Sequence, residues 1–249
     1  MEAVAAQLTP ELATATIYNV NMVSAYSGEA VVKAAAFGSI YTTFLPMSKF
    51  VACSSLGNAT AIRWPGGSLA EESLTKYSLR NADIYSEANP GDPGYDPNNQ
   101  KGLTDVFAQA RAANADFSMV LPTRRYMNDV QTGVADVKAF LTKLLSGGFG
   151  ELPAHVTLEI GNESSWLGWD HGVFTKGVGS YGYIANAFLE VIRTTLADST
   201  INPNHIDIDV AVQRGTTTGG GQSAVFSQIT AENLRTVDYF VRHSALVSN

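Results

Sequence analysis

The chain has 249 residues, 45% of them hydrophobic and 16% charged, with a formal net charge of −7. That is room for one large domain with a packed core, too apolar for a disordered chain and without the basic excess that grips nucleic acid or an anionic membrane. One cysteine, Cys53, excludes an internal disulfide framework and a cysteine-rich zinc site.

Residues 1–10 lack the basic and apolar regions of a standard signal peptide, and no run of about 18 apolar residues occurs. A soluble protein with no membrane span is expected. Its compartment stays open, and secretion by a route without an N-terminal signal is compatible with the sequence.

In chain order, short β-branched or apolar runs alternate with longer segments of helical period, the mark of βα units around a parallel sheet. Strands are predicted over Thr16–Val23, Thr60–Trp64, Asp116–Leu121, Val156–Ile160, Ile206–Val212 and Val237–His243. Helices are predicted over Tyr41–Ser55, Leu103–Asn114, Val134–Ser146, Ser180–Asp198 and Ser223–Leu234. Cys53, in the apolar run from Phe50, reads as a buried structural thiol. The stretch Asn81–Gly102 is rich in Pro, Gly, Asp and Asn and reads as a loop. Its acidic spacing does not match an EF-hand, so turn chemistry is preferred to calcium binding. Gly215–Gly221 reads as a second loop.

The expected fold is therefore α/β, a single domain over residues 1–249 built as a (β/α) TIM-type barrel with about six βα units. Eight units are needed for closure, so the last two are expected to be lacking after His243. The open edges then call for a C-terminal segment, self-association or another partner chain to cover them.

Catalysts of such barrels stand at the C-terminal ends of strands. The fourth predicted strand runs into Gly161-Asn162-Glu163. Alternation places Glu159, Gly161 and Glu163 on one face, with Glu163 nearest the mouth. A carboxyl group partly enclosed there has the environment of a general acid. The plainer alternative is a solvated loop glutamate.

The Asn162-Glu163 pair resembles the acid/base signature of the large barrel clan of retaining glycosidases, whose families are β-xylosidase-like, arabinofuranosidase-like and heparanase/β-glucuronidase-like. Ile62-Arg63-Trp64-Pro65-Gly66-Gly67 resembles the segment several of them carry after the second strand, and Val237–His243 resembles their sixth strand. The resemblance implies a retaining glycoside hydrolase acting on a carbohydrate. Glu163 would be its acid/base, and Asn162 would bond the sugar 2-hydroxyl. The nucleophile is expected on a seventh strand, beyond Asn249.

Arg63 is read either as orienting a carboxylate in the site or as the structural partner of Glu159. Trp64 is read as packing or site wall. Trp166, Trp169 and Tyr126 follow strand ends and are placed either to stack on a sugar ring or to lid the core. His171 and His243 are candidates for hydroxyl binding, whereas His155 and His205 precede strands and belong to the opposite end. Asp207 and Asp209 are read as structural charges of the fifth strand. Scattered histidines make no metal cluster, so no metal and no cofactor is expected.

Three functions fit. The first is a glycosidase catalytic domain or a fragment of one. The second is a non-catalytic carbohydrate-binding or structural homologue lacking the nucleophile, and the third is an unrelated barrel enzyme using Glu163 on a non-sugar substrate.

Overall fold

The structure, a computed structural model, describes residues 39–41, 61–64, 71, 79, 102–162, 176–213 and 221–241. It is an α/β protein with a six-stranded parallel sheet: β1 (Ser39–Tyr41), β2 (Ala61–Trp64), β3 (Asp116–Leu121), β4 (Val156–Ile160), β5 (Asp209–Gln213) and β6 (Tyr239–Val241). Each strand pairs in parallel with the next in sequence. The order never reverses, which separates this sheet from doubly wound folds. Among the described residues it is open, with β1 and β6 as edges.

The two faces of the sheet differ in chemistry. Ile62, Trp64, Phe117, Met119, Leu121, Val156, Leu158, Ile160, Val210 and Val212 alternate onto one face and join a single apolar core. Onto it pack the amphipathic helices α1 (Leu103–Ala113), α2 (Val130–Leu145) and α3 (Tyr181–Ala197). In α2 the buried Val130, Gly133, Val137, Phe140, Leu141 and Leu144 recur at helical spacing. In α3 the stripe is Tyr181, Ile184, Ala185, Phe188 and Ile192. Phe107 of α1 meets Phe117 of β3 edge to face at 4.8 Å. The opposite sheet face carries Arg63, Ser118, Thr157, Glu159 and Gln213, all buried although polar.

Several boundaries move from their predicted places. The expected strand Thr16–Val23 lies outside the described residues, and β1 contains Tyr41, where the reading opened a helix; the rest of that helix, Cys53, residues 81–101 and residues 214–220 also lie outside. Helix α2 starts four residues earlier than predicted because Asp129 caps it, its carboxylate accepting the Thr132 amide at 3.1 Å. The expected helix Ser223–Leu234 is two, α4 (Gly221–Phe226) and α5 (Ala231–Leu234), with the Thr230 hydroxyl capping the second. Gly221, read as loop, opens α4.

Strand β5 begins only at Asp209. Asn202 spans the preceding turn, donating to the carbonyls of Leu196 and Ile206 at 3.0 Å each and accepting the Ile206 amide at 2.8 Å. Asp207 is consequently an exposed residue ahead of the strand, not a residue of the wall. Asp209 sits at the N-terminal end of β5, bonded to Tyr239; burial, then the charges of Asp238 and Asp207, holds its carboxyl above the usual range. His155 and His205 are exposed ahead of β4 and β5. No described helix is long and apolar enough to cross a membrane.

Candidate functional site

The C-terminal ends of β2, β3, β4 and β5 converge on Asn162. Alternation along β2 sends Arg63 to the polar face and Trp64 to the apolar one, where Trp64 is wholly buried in the core. Trp64 is therefore packing, not a site wall. The strand ladder sets Arg63 level with Ser118 and Thr157, so Glu159 stands one pleat above Arg63.

The Arg63 side chain reaches up to close that gap. Its Nε donates to Glu159 Oε2 at 2.5 Å, and its Nη2 donates to Glu159 Oε1 at 2.7 Å and to Asn162 Oδ1 at 3.0 Å. Of the two readings of Arg63, this geometry realises the internal pair. Gln213 adds a further lock from β5: its Nε2 donates to Glu159 Oε1 at 2.7 Å and to the Gly161 carbonyl at 3.1 Å. The Tyr181 hydroxyl accepts the Gln213 amide at 2.7 Å and donates to the Ile160 carbonyl at 2.8 Å, binding α3 to the ends of β4 and β5. Burial raises the Tyr181 phenol well above its ordinary value, with the charges of Glu159 and Glu71 adding to the effect.

At Gly161 the strand ends. Its φ of 77° lies in the left-handed region, which glycine enters without the Cβ clash other residues meet, and its amide still donates to the Leu121 carbonyl at 2.7 Å. The side-chain alternation that put Glu163 on the face of Glu159 thus stops two residues short of it. Glu163 itself lies outside the described residues, as do Trp166, Trp169, His171 and His243.

Asn162 has no solvent exposure. Its Oδ1 is held by Arg63 and its amide donates to Glu71 Oε1 at 2.9 Å. Among the described residues its Nδ2 has no hydrogen-bond partner. A buried donor left unmade costs about 1–3 kcal/mol, so this group calls for an acceptor, whether from the chain, from water or from a ligand.

Glu71 was missed by the sequence reading. Its carboxylate is buried and accepts the amides of Thr123 and Arg124 at 2.8 Å each on Oε2, with the Thr123 hydroxyl at 3.3 Å on Oε1 beside the Asn162 amide. Burial pushes its carboxyl up, opposed by the amides of Arg124, Asn162 and Thr123 and by the charge of Arg125. Nothing in the sequence distinguishes Glu71 from the adjacent Glu72. Gln213 had a signal, a polar residue closing the apolar run Val210-Ala211-Val212, but the strand was ended one residue too soon.

Tyr126 is not an exposed stacking platform. It lies in a short 3-10 turn, Arg124–Tyr126, and is buried, its hydroxyl donating to Asp136 Oδ2 at 2.9 Å and its ring meeting Phe188 at 5.9 Å. Gly133 makes room for that ring, since a Cβ there would come within 2.7 Å of Tyr126 Cγ. Among the described residues no cluster of His, Cys, Asp and Glu has the makings of a metal site. No protein-family model, curated protein or solved structure matches this chain.

Proposed function

We propose that this chain is a (β/α)-barrel domain of a retaining glycoside hydrolase, with Glu163 as acid/base and Asn162 as donor to the 2-hydroxyl of a bound sugar. The barrel reading is supported by the unreversed strand order and by a polar sheet face buried opposite the helix-packed one. The observation that carries the function is the buried Nδ2 of Asn162 at the C-terminal end of β4, unpartnered among the described residues. An amide held by its oxygen and offering only its N–H2 group suits a hydroxyl acceptor, and in this chemistry the bond to the 2-hydroxyl strengthens in the transition state.

The alternative is a homologue that binds carbohydrate without turning it over. Glu71 and Glu159, the buried carboxylates at this end, both have their oxygens taken up by hydrogen bonds, so neither is available to attack an anomeric carbon. Under the catalytic reading the nucleophile comes from a further strand.

The test measures binding of the methyl glycosides of xylose, arabinose and glucuronic acid, each beside its 2-deoxy analogue, by ligand-observed NMR. For whichever sugar binds, loss of the 2-hydroxyl is expected to weaken affinity roughly 5- to 10-fold, one net hydrogen bond of about 1 kcal/mol. Asn162→Ala should bind both forms alike. A variant that still prefers the 2-hydroxy sugar would defeat the assignment of Asn162, and hydrolysis of the same methyl glycosides by a protein that includes the further strand, lost in its Glu163→Ala variant, separates enzyme from binder.

A further inference from the structure

We propose that Glu71 is a positioning residue for the Asn162 carboxamide, acting as a clamp between the chain segments that leave β3 and β4. The ligand class rests on the sugar-binding reading above; the clamp itself does not.

Asn162 is fixed at two points by different partners. Arg63, from β2, holds the side-chain oxygen at 3.0 Å, and Glu71 holds the backbone amide at 2.9 Å. The same Glu71 carboxylate takes the Thr123 and Arg124 amides at 2.8 Å, immediately beyond β3. Three backbone N–H groups from two segments, 39 residues apart in sequence at Thr123 and Asn162, therefore converge on one buried side chain.

Next to this anchor Gly161 adopts a left-handed φ of 77°, and the paired register of β3 and β4 ends at Ile160. Without an acceptor for the Asn162 amide, the turn would be set by the Gly161 amide bond to Leu121 and the Gln213 bond to the Gly161 carbonyl, both one residue before the group that must be aimed. Pointing a carboxamide requires two fixed ends; Arg63 supplies one and Glu71 the other. Amides donate to both oxygens of Glu71, and a glutamine of the same shape has only one acceptor oxygen, so that replacement should loosen the clamp without emptying the space.

Glu71→Gln supplies that replacement: its Nε2 presents hydrogens where the carboxylate presents an acceptor. In the full chain, hydrogen exchange at the Thr123, Arg124 and Asn162 amides is expected to speed at least tenfold, while Leu158 and Ile160 keep native rates. The side-chain order parameter of Asn162 Nδ2 should fall to below about 0.6, the range of a flexible group. Glu71→Asp, which keeps the charge on a shorter arm, should restore part of both and carries the test if the glutamine variant does not fold. Native exchange at the three amides in a folded Glu71→Gln protein would overturn the proposal, as would a rigid Asn162 side chain with fast exchange. If the glycosides above do not bind native protein, the sugar reading fails while the order parameter still decides the clamp.

Discussion

Replacing Arg63 by Met should strand Glu159 as a buried anion. Arg63 and Glu159 are 1% and 2% exposed, so water offers neither charge relief. The substitution removes bonds of 2.5 Å and 2.7 Å to the carboxylate, while the neutral Gln213 donor stays. Breaking one side of a buried pair costs about 3–5 kcal/mol, a large share of the roughly 5–15 kcal/mol that holds a domain together. With a urea m-value near 3 kcal/mol/M for a chain of this size, the unfolding midpoint should drop by roughly 1–1.7 M.

The double substitution Arg63→Met with Glu159→Met removes both charges and fills the space with apolar side chains. It should recover most of the loss, because replacing a buried pair wholesale is often neutral. Both variants still take the Arg63 donor from Asn162 Oδ1, so both should lose preference for the 2-hydroxy sugar. Urea unfolding of the four proteins of the cycle supplies the coupling energy. A double variant no more stable than Arg63→Met would refute the reasoning, since the cost would then lie in packing and not in a stranded charge.

Two further outcomes follow from the described geometry. Tyr126→Phe should lower stability by about 1–3 kcal/mol through loss of the 2.9 Å bond to buried Asp136, and should leave glycoside affinity unchanged; a selective loss of sugar binding would return Tyr126 to the site. Glu71 should make native protein lose stability relative to Glu71→Gln as pH rises. Its carboxyl is raised above 4.5 in the folded state, so the folded protein holds that proton more tightly, and the advantage present below 4.5 is lost as pH climbs through the raised value. Chemical unfolding of both proteins across pH 4 to 8 checks the sign, and an opposite slope would mean that the amides outweigh burial.

Where one pattern dominated, the sequence was enough. β3 and β4 match residue for residue, since buried apolar runs between turn signals leave few alternatives, and β2 differs by one residue. α1 and α3 came from their apolar stripes. The errors have local causes: Asp129 and Thr230 offered caps that were overlooked, Asn202 held back the start of β5, and three residues, Ser39–Tyr41, are too few to show a period. In the site, the Arg63–Glu159 pair was legible because a buried Arg needs an anion, whereas Asn162 entered through the resemblance and not through strand alternation, which ends at Gly161. Glu71 was not, since its role is to bind backbone amides from distant segments. Trp64 and Tyr126 misled because an aromatic at a strand end reads equally as wall and as packing.

The bend at Gly161 makes the aim of the neighbouring residue depend on a side chain that is a single hydrogen. A side chain at 161 would strain this conformation by about 1–2 kcal/mol, most for β-branched residues and least for Asn, and would favour a negative φ that rotates the peptide leading into Asn162. Drift in this protein should accordingly be tolerated more readily by swapping apolar residues on the helix-packed side of the sheet than by adding one methyl group at that corner.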